Sequence, residues 1–422
     1  SLISVEMKSL NNNTKIYSMI STFENCENLE SFSIDGFDVD NLKSMKKLFY
    51  NTKIKNIDLS NFKTNKIEDI SYMFASTYLT SIDFSDFDTE NVIDMSYLFC
   101  NSSSLYFIDL SNLKTAKTQN MSHMFEGLIS LMELDLSKFD TKSVKDMSYM
   151  FKECHQLSEI NLINFNTELV EDMSHMFEEC RILKDLNLEK FFTKKVKNMS
   201  SMFKFCKLLS TIDLSNFDVS EVLDMSEMFH SCESLLELDL ANFNNKKIKN
   251  ISYMFSYCTS LNNISLPYFD TSNVYNMSHL FENCISLNLL EIPLFRTNNV
   301  VDMSNMFIDC GKLSIIDVSN YDTRKVKNMS GMFEGCASVK SLDVSRFNTD
   351  EVENMSNMFK YNSALTSLRL SSFNTKNVKD LSGMFQYCTN LKEIDISNFD
   401  TSKVTDTNNI FKECQNLISV KI

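Results

Sequence analysis

Tryptophan is absent from the 422 residues, and proline and glycine number only two and six. So little of either argues against a loop-rich chain or one divided by flexible linkers. An excess of positive charge is lacking too: 41 Lys and Arg face 56 Asp and Glu, for a net charge of −15. That disfavours nucleic acid, whose phosphates need a basic footprint, and anionic lipid surfaces. No stretch approaches the ~18 consecutive apolar residues of a membrane-spanning helix, so direct membrane insertion is not expected. No Met, charged leader or apolar signal core opens the chain at Ser1. It is therefore read as an excerpt of a longer surface or secreted protein. Hydrophobic residues make up 43%, ample for a packed interior and too many for disorder.

What is present is repetition. A marker phenylalanine, usually in a Met-Phe pair, recurs at Phe23, Phe49, Phe74, Phe99, Phe125, Phe151, Phe177 and Phe203. It continues at Phe229, Phe255, Phe281, Phe307, Phe333, Phe359, Phe385 and Phe411. The step is 26 residues, except for two steps of 25 between Phe49 and Phe99. No linker breaks the register, so residues 1–422 are read as one solenoid domain.

Residues 209–234, LSTIDLSNFDVSEVLDMSEMFHSCES, form a representative unit. Leu209, Ile212 and Leu214 face inward, the last two with the period of two of a half-buried strand. Phe217 and Val222 supply further inward anchors. Between them lies a corner that carries Thr in twelve of fifteen full repeats, a residue whose side chain can hydrogen-bond nearby backbone. Met225, Met228, Phe229 and Cys232 then recur at i, i+3, i+4 and i+7, which predicts a short helix. The residue before that run is Ser, Asp or Asn in all sixteen repeats, from Ser18 to Asp406, as a helix N-cap requires. The expected fold is an α/β leucine-rich-repeat-like solenoid of about sixteen 25–26-residue units, each with a strand and a short helix. A parallel β-helix, with the DMSxMF segment as a third strand, is the alternative.

Residues 232–243, CESLLELDLANF, show the pattern CxxLxxLxLxxF, and a Met-Phe pair precedes the next Cys. With the SNFDTSxVTDMSxMFxxC-type unit, the chain resembles the BspA-like leucine-rich repeats of bacterial surface proteins and some protists. The resemblance implies a cell-surface or secreted adhesin and carries no catalytic residue across, because the shared positions are core and corner positions. The end units depart from it, with Asn11, Asn12 and Asn13 in the first and DTNNIF in the last.

Eleven of the twelve cysteines stand three residues after a marker Phe. Three readings are open: buried free thiols on an inner face, disulfides between adjacent coils, or a metal site. The first fits best, since free Cys buries readily and parallel side chains hold Cβ atoms too far apart for a bridge. Neither CxxC pairs nor a ligand spacing among the five histidines supports a metal. Asn120, Asn198, Asn250, Asn276, Asn328 and Asn354 begin nominal glycosylation signals, yet Asp replaces them in other repeats, so the cap explains them better. Asn12, Asn101 and Asn263 are off-pattern sequons and remain possible N-glycosylation sites.

Charge supplies the functional lead. The outward position between the two inward strand residues holds Asp58, Asp83, Asp109, Asp135, Asp213, Asp239, Asp317, Asp343 and Asp395, with Glu291 in another repeat. Around the corner lie Lys145, Lys197, Lys249, Lys327 and Lys379. One edge is expected to be acidic and another basic. Either both are solvated faces, or the acidic row recognises a cationic partner or a cation. No nucleophile–base–oxyanion constellation and no Gly-rich phosphate loop is found. A non-enzymatic protein without a cofactor is expected, binding a protein, matrix or host-cell component; the alternative is a structural element that self-assembles into a filament or layer.

Overall fold

The computed structural model describes residues 2–9, 14–60, 62 and 64–422. It holds two compact units, Ser1–Phe217 and Asp218–Ile422, each with eight marker phenylalanines. Within each unit the chain winds in coils of one repeat, stacked in register.

Regular strands are short and always parallel. In the first unit β1 (Ser4–Lys8) pairs with β3 (Ser31–Asp35), β2 (Thr14–Lys15) with β4 (Phe37–Asp38), and β5 (Glu133–Asp135) with β6 (Glu159–Asn161). In the second, β7 (Asn263–Ser265) pairs with β8 (Leu289–Glu291), and β9 (Glu393–Asp395) with β10 (Ser419–Lys421). The register joins equivalent positions: Glu133 faces Glu159 and Asp135 faces Asn161. Side chains alternate in and out as read from the sequence, and Leu134 is buried between exposed Glu133 and Asp135.

The expected helix is not there. Among the described residues no helix forms, and the DMSxMFxxC segment is instead a chain of linked turns. Alternate amides donate to the next coil: Met45 to the Asp69 carbonyl at 2.9 Å, Lys47 to Ser71 at 2.9 Å, Phe49 to Met73 at 3.1 Å and Asn51 to Ala75 at 3.0 Å. Amides in between close turns within the coil, as Leu48 does to Met45 at 3.1 Å and Tyr50 to Lys47 at 3.2 Å. The residues two before and two after every marker Phe have positive φ; for Phe151 these are Tyr149 (59°) and Glu153 (60°). In the turn that Leu48 closes on Met45, the left-handed Lys47 holds the third position, as in a type II turn. The segment is not a regular third strand either. Only its Ser, Asp or Asn position makes parallel bridges, such as Asp69 with Asp94 and Asn250 with Asn276.

The cap reading fails for the same reason, although its residues are right. Asp69 Oδ1 accepts the Ser71 amide at 2.9 Å, Asn250 Oδ1 that of Ser252 at 3.1 Å and Asp406 Oδ1 that of Asn408 at 2.8 Å. These are Asx turns, which favour the same short polar side chains as an N-cap.

The inward anchors form the core. In residues 131–154, Leu131, Leu134, Leu136, Phe139, Val144, Met147, Met150, Phe151 and Cys154 are all buried. Each large apolar side chain so buried contributes about 1.5–3 kcal/mol. The marker rings stack within each unit: Phe125 and Phe151 lie 5.7 Å apart with planes 2° from parallel, and Phe229 and Phe255 5.8 Å apart at 7°. Buried corner threonines stitch the coils. Thr89 Oγ1 donates to the Lys114 carbonyl at 3.0 Å and accepts the Lys114 amide at 2.7 Å.

Candidate binding face

The nine aspartates of the strand row are all exposed, yet each is held. Oδ1 accepts the amide two residues on, at 2.9 Å from Ser60 to Asp58, 2.8 Å from Ser85 to Asp83, and 2.9 Å from Ser137 to Asp135. The same bond fixes Asp109, Asp213, Asp239, Asp317, Asp343 and Asp395. Asn161 and Asn187 do likewise in their own coils, at 3.3 and 3.0 Å. A carboxylate accepting an amide is favoured in its charged form. Hydrogen bonds from the following serine accordingly lower the pKa of Asp58, Asp109, Asp135, Asp213, Asp317 and Asp343. Asp395 is lowered furthest, first by Lys421, whose Nζ lies 2.8 Å away.

The expected basic edge is mixed in sign. Lys197 pairs with Glu171 at 2.6 Å, Lys379 with Glu353 at 2.5 Å, and Lys145 donates to Gln119 at 3.1 Å. These partners hold the same register position as the lysines in neighbouring coils, so the row alternates. The positions of Lys249 and Lys327 continue it with Tyr275, Val301 and Glu353.

Cysteines are free thiols throughout, and those inside the stack are donors rather than cross-links. Cys154 Sγ donates to the Phe125 carbonyl at 3.2 Å, and Cys258 to Phe229 at 3.1 Å. Burial pushes the Cys154, Cys258 and Cys388 thiols up to about 12. Asn362, at the cysteine position of its coil, makes the same bond to Phe333 at 2.8 Å.

The off-pattern sequons divide. Asn12 lies outside the described residues. Asn101 is exposed at a left-handed turn position (φ 58°), and Asn263 is exposed at the start of β7. Asn120, Asn198, Asn276, Asn328 and Asn354, like Asn250, are half-buried, each bonded through Oδ1 to the amide two residues on.

Two features escape the sequence reading. The left-handed position before the marker carries an aromatic row, Tyr72, Tyr97, His123, Tyr149 and His175, with successive centroids 4.1, 4.0, 4.3 and 4.3 Å apart. His123 and His175 also reach Glu126 and Glu178, at 2.5 and 2.7 Å. Among the described residues, no three His, Cys, Asp or Glu gather to hold a metal. The second is a cavity at the corner of two consecutive coils bearing Pro267 and Pro293. The signal for the left-handed turns was available: Asn or Gly fills eleven of the thirty-two positive-φ positions flanking the marker, and neither suits the middle of a two-turn helix.

The family described as "Mycoplasma protein of unknown function, DUF285" matches residues 6–106, 100–207, 183–266, 263–342 and 336–420. No curated protein matches the chain. Among solved structures, the chain is similar to a leucine-rich repeat protein from Eubacterium ventriosum, with 18% identity, 82% of this chain and 86% of that one covered, and a TM-score of 0.41. A leucine-rich repeat protein from Bacteroides ovatus shares 16% identity over 96% of this chain and 86% of that one, with a TM-score of 0.34. For a leucine-rich cell surface protein from Faecalibacterium prausnitzii the figures are 13%, 99%, 82% and 0.21.

Proposed function

The chain belongs to the DUF285 family, and on that premise we propose that it is a non-catalytic binding module of the cell surface or extracellular space. It meets a protein or matrix partner through the exposed aspartate row. One observation carries this reading: nine exposed carboxylates stand at one register position, each with an oxygen tied to its own backbone. Carboxylates pinned in this way lose little freedom on meeting a partner. Their shared sign attracts cationic surfaces and repels acidic ones.

The test separates charge from structure. Asp83→Asn, Asp109→Asn and Asp135→Asn together remove three charges and keep the Asx acceptor, as Asn161 and Asn187 show is tolerated. Adhesion of the purified chain to host cells or matrix should fall, along with its sensitivity to salt, while the fold is retained. Lys145→Gln should leave adhesion intact. Undiminished adhesion by the triple variant sinks the proposal.

Self-association is a second reading, favoured by Tyr106, Phe107 and Met132, which are 59%, 61% and 56% exposed in adjacent coils of the first unit. Light scattering that shows a monodisperse monomer excludes it.

A further inference from the structure

The only two prolines of the chain stand 26 residues apart, at the same position of consecutive coils. In other coils that position supplies the amide that closes the Asx turn, as Ser319 does to Asp317 at 2.9 Å. Proline has no amide hydrogen, so neither corner can be closed in that way. The acceptor has changed with the donor: Ser265 and Glu291 stand where most coils have Asp, and Ser265 Oγ donates to Glu291 Oε2 at 3.0 Å.

The core beside these corners is less regular than elsewhere. Phe269 and Phe295 are tilted by 43°, whereas Phe347 and Phe373, the same position in later coils, lie within 5° of parallel. The next coil carries Tyr321, the one tyrosine where other coils have Phe or Leu. Tyr321 is 4% exposed, and its hydroxyl has no hydrogen-bond partner. Between these residues opens a cavity of about 380 Å³, lined by Pro267, Pro293, Ile292, Ile315 and Tyr321, with Glu291 and Asp317 also in its wall. Ile315, 78% exposed, lies at its mouth.

A guest for this cavity needs an apolar stem against the prolines and isoleucines. It also needs a head that donates hydrogen bonds, because two acidic residues, Glu291 and Asp317, stand in its wall. A guanidinium on a three-carbon stem meets both needs, with five donors and no acceptor. We infer that this corner of the second unit is an anchor site for an arginine side chain of a bound polypeptide. The inference rests on the proposed acidic face in taking the partner to be cationic, and adds a place on it where a side chain can be buried.

The probe is a fluorescein-labelled five-residue peptide with arginine at its centre and glycine or alanine elsewhere, titrated against the full chain by anisotropy. Binding should weaken at least about tenfold when citrulline replaces arginine, the cost of one charge-assisted hydrogen bond. Ile315→Lys, which sets a like charge at an exposed mouth, should abolish it. Equal binding of the two peptides, binding indifferent to Ile315→Lys, or no binding at all overturns the inference. Butylguanidinium alone binding as tightly as the peptide would point to a small cation and overturn the polypeptide assignment. Asp83→Asn, Asp109→Asn and Asp135→Asn lie in the other unit, so loss of adhesion there with peptide binding intact separates the two claims.

Discussion

Thr115 and Asp140 face each other across neighbouring coils, and one hydroxyl completes both backbone groups of the aspartate. Thr115 Oγ1 donates to the Asp140 carbonyl at 3.0 Å and accepts its amide at 2.8 Å. The threonine is 2% exposed, so water cannot replace it. Thr115→Val keeps the shape and orphans an amide and a carbonyl together; a loss of about 2 kcal/mol or more is expected. Thr115→Ser should retain most of the stability. Urea unfolding of the two variants makes the comparison, and equal midpoints would show that the hydroxyl is dispensable.

The turn ladder and the helix it replaces respond oppositely to one substitution. Asn357 has φ 56° and is flanked at the same position by Gly331 and Gly383. Asn357→Val should destabilise by about 1–2 kcal/mol, because a β-branched residue resists the left-handed region. In a helix the exchange would be nearly neutral, since the two propensities are alike. A silent Asn357→Val would contradict the turn geometry.

Acid should weaken the fold through the strand-row aspartates. Hydrogen bonds lower the pKa of Asp109 and Asp135 in the folded chain, so their contribution is fully present above the unfolded value of about 3.9. It is lost as pH falls through the lowered folded value. Asp109→Asn with Asp135→Asn should flatten that loss below about pH 4 and lower stability at pH 7 by no more than the contribution removed. Thermal melts from pH 7 to pH 2 report it.

Alkylation distinguishes the cysteines. With thiols pushed up to about 12, Cys154, Cys258 and Cys388 should stay unmodified by iodoacetamide at pH 8, because the thiolate is the nucleophile. Half-buried Cys26 and Cys414 should react first, and all twelve once the chain unfolds. Peptide mass mapping reads the order. Early labelling of Cys258 would show that the stack opens readily.

The repeat length, the coil register and the inward anchors were legible in the sequence, because burial imposes its period on residue type whatever the local backbone does. Leu131, Val144, Met147 and Phe151 could be placed in the core from spacing alone. So could the outward aspartates. What the sequence left undecided was where the backbone amides of the DMSxMF segment go. Apolar residues at i, i+3, i+4 and i+7 suit a two-turn helix and equally suit successive four-residue turns. An Asp or Asn before them serves an N-cap or an Asx turn alike. A two-turn helix is marginal alone, whereas the stacked coil offers Phe49 a carbonyl on Met73 and Asn51 one on Ala75. Those acceptors belong to the next repeat, 24 residues away along the chain. Only the tertiary structure supplies them, and with them it decides for turns over helix. The same holds for the cavity: Pro267, Pro293 and Tyr321 are ordinary residues along the chain, and become one site when three coils are laid side by side.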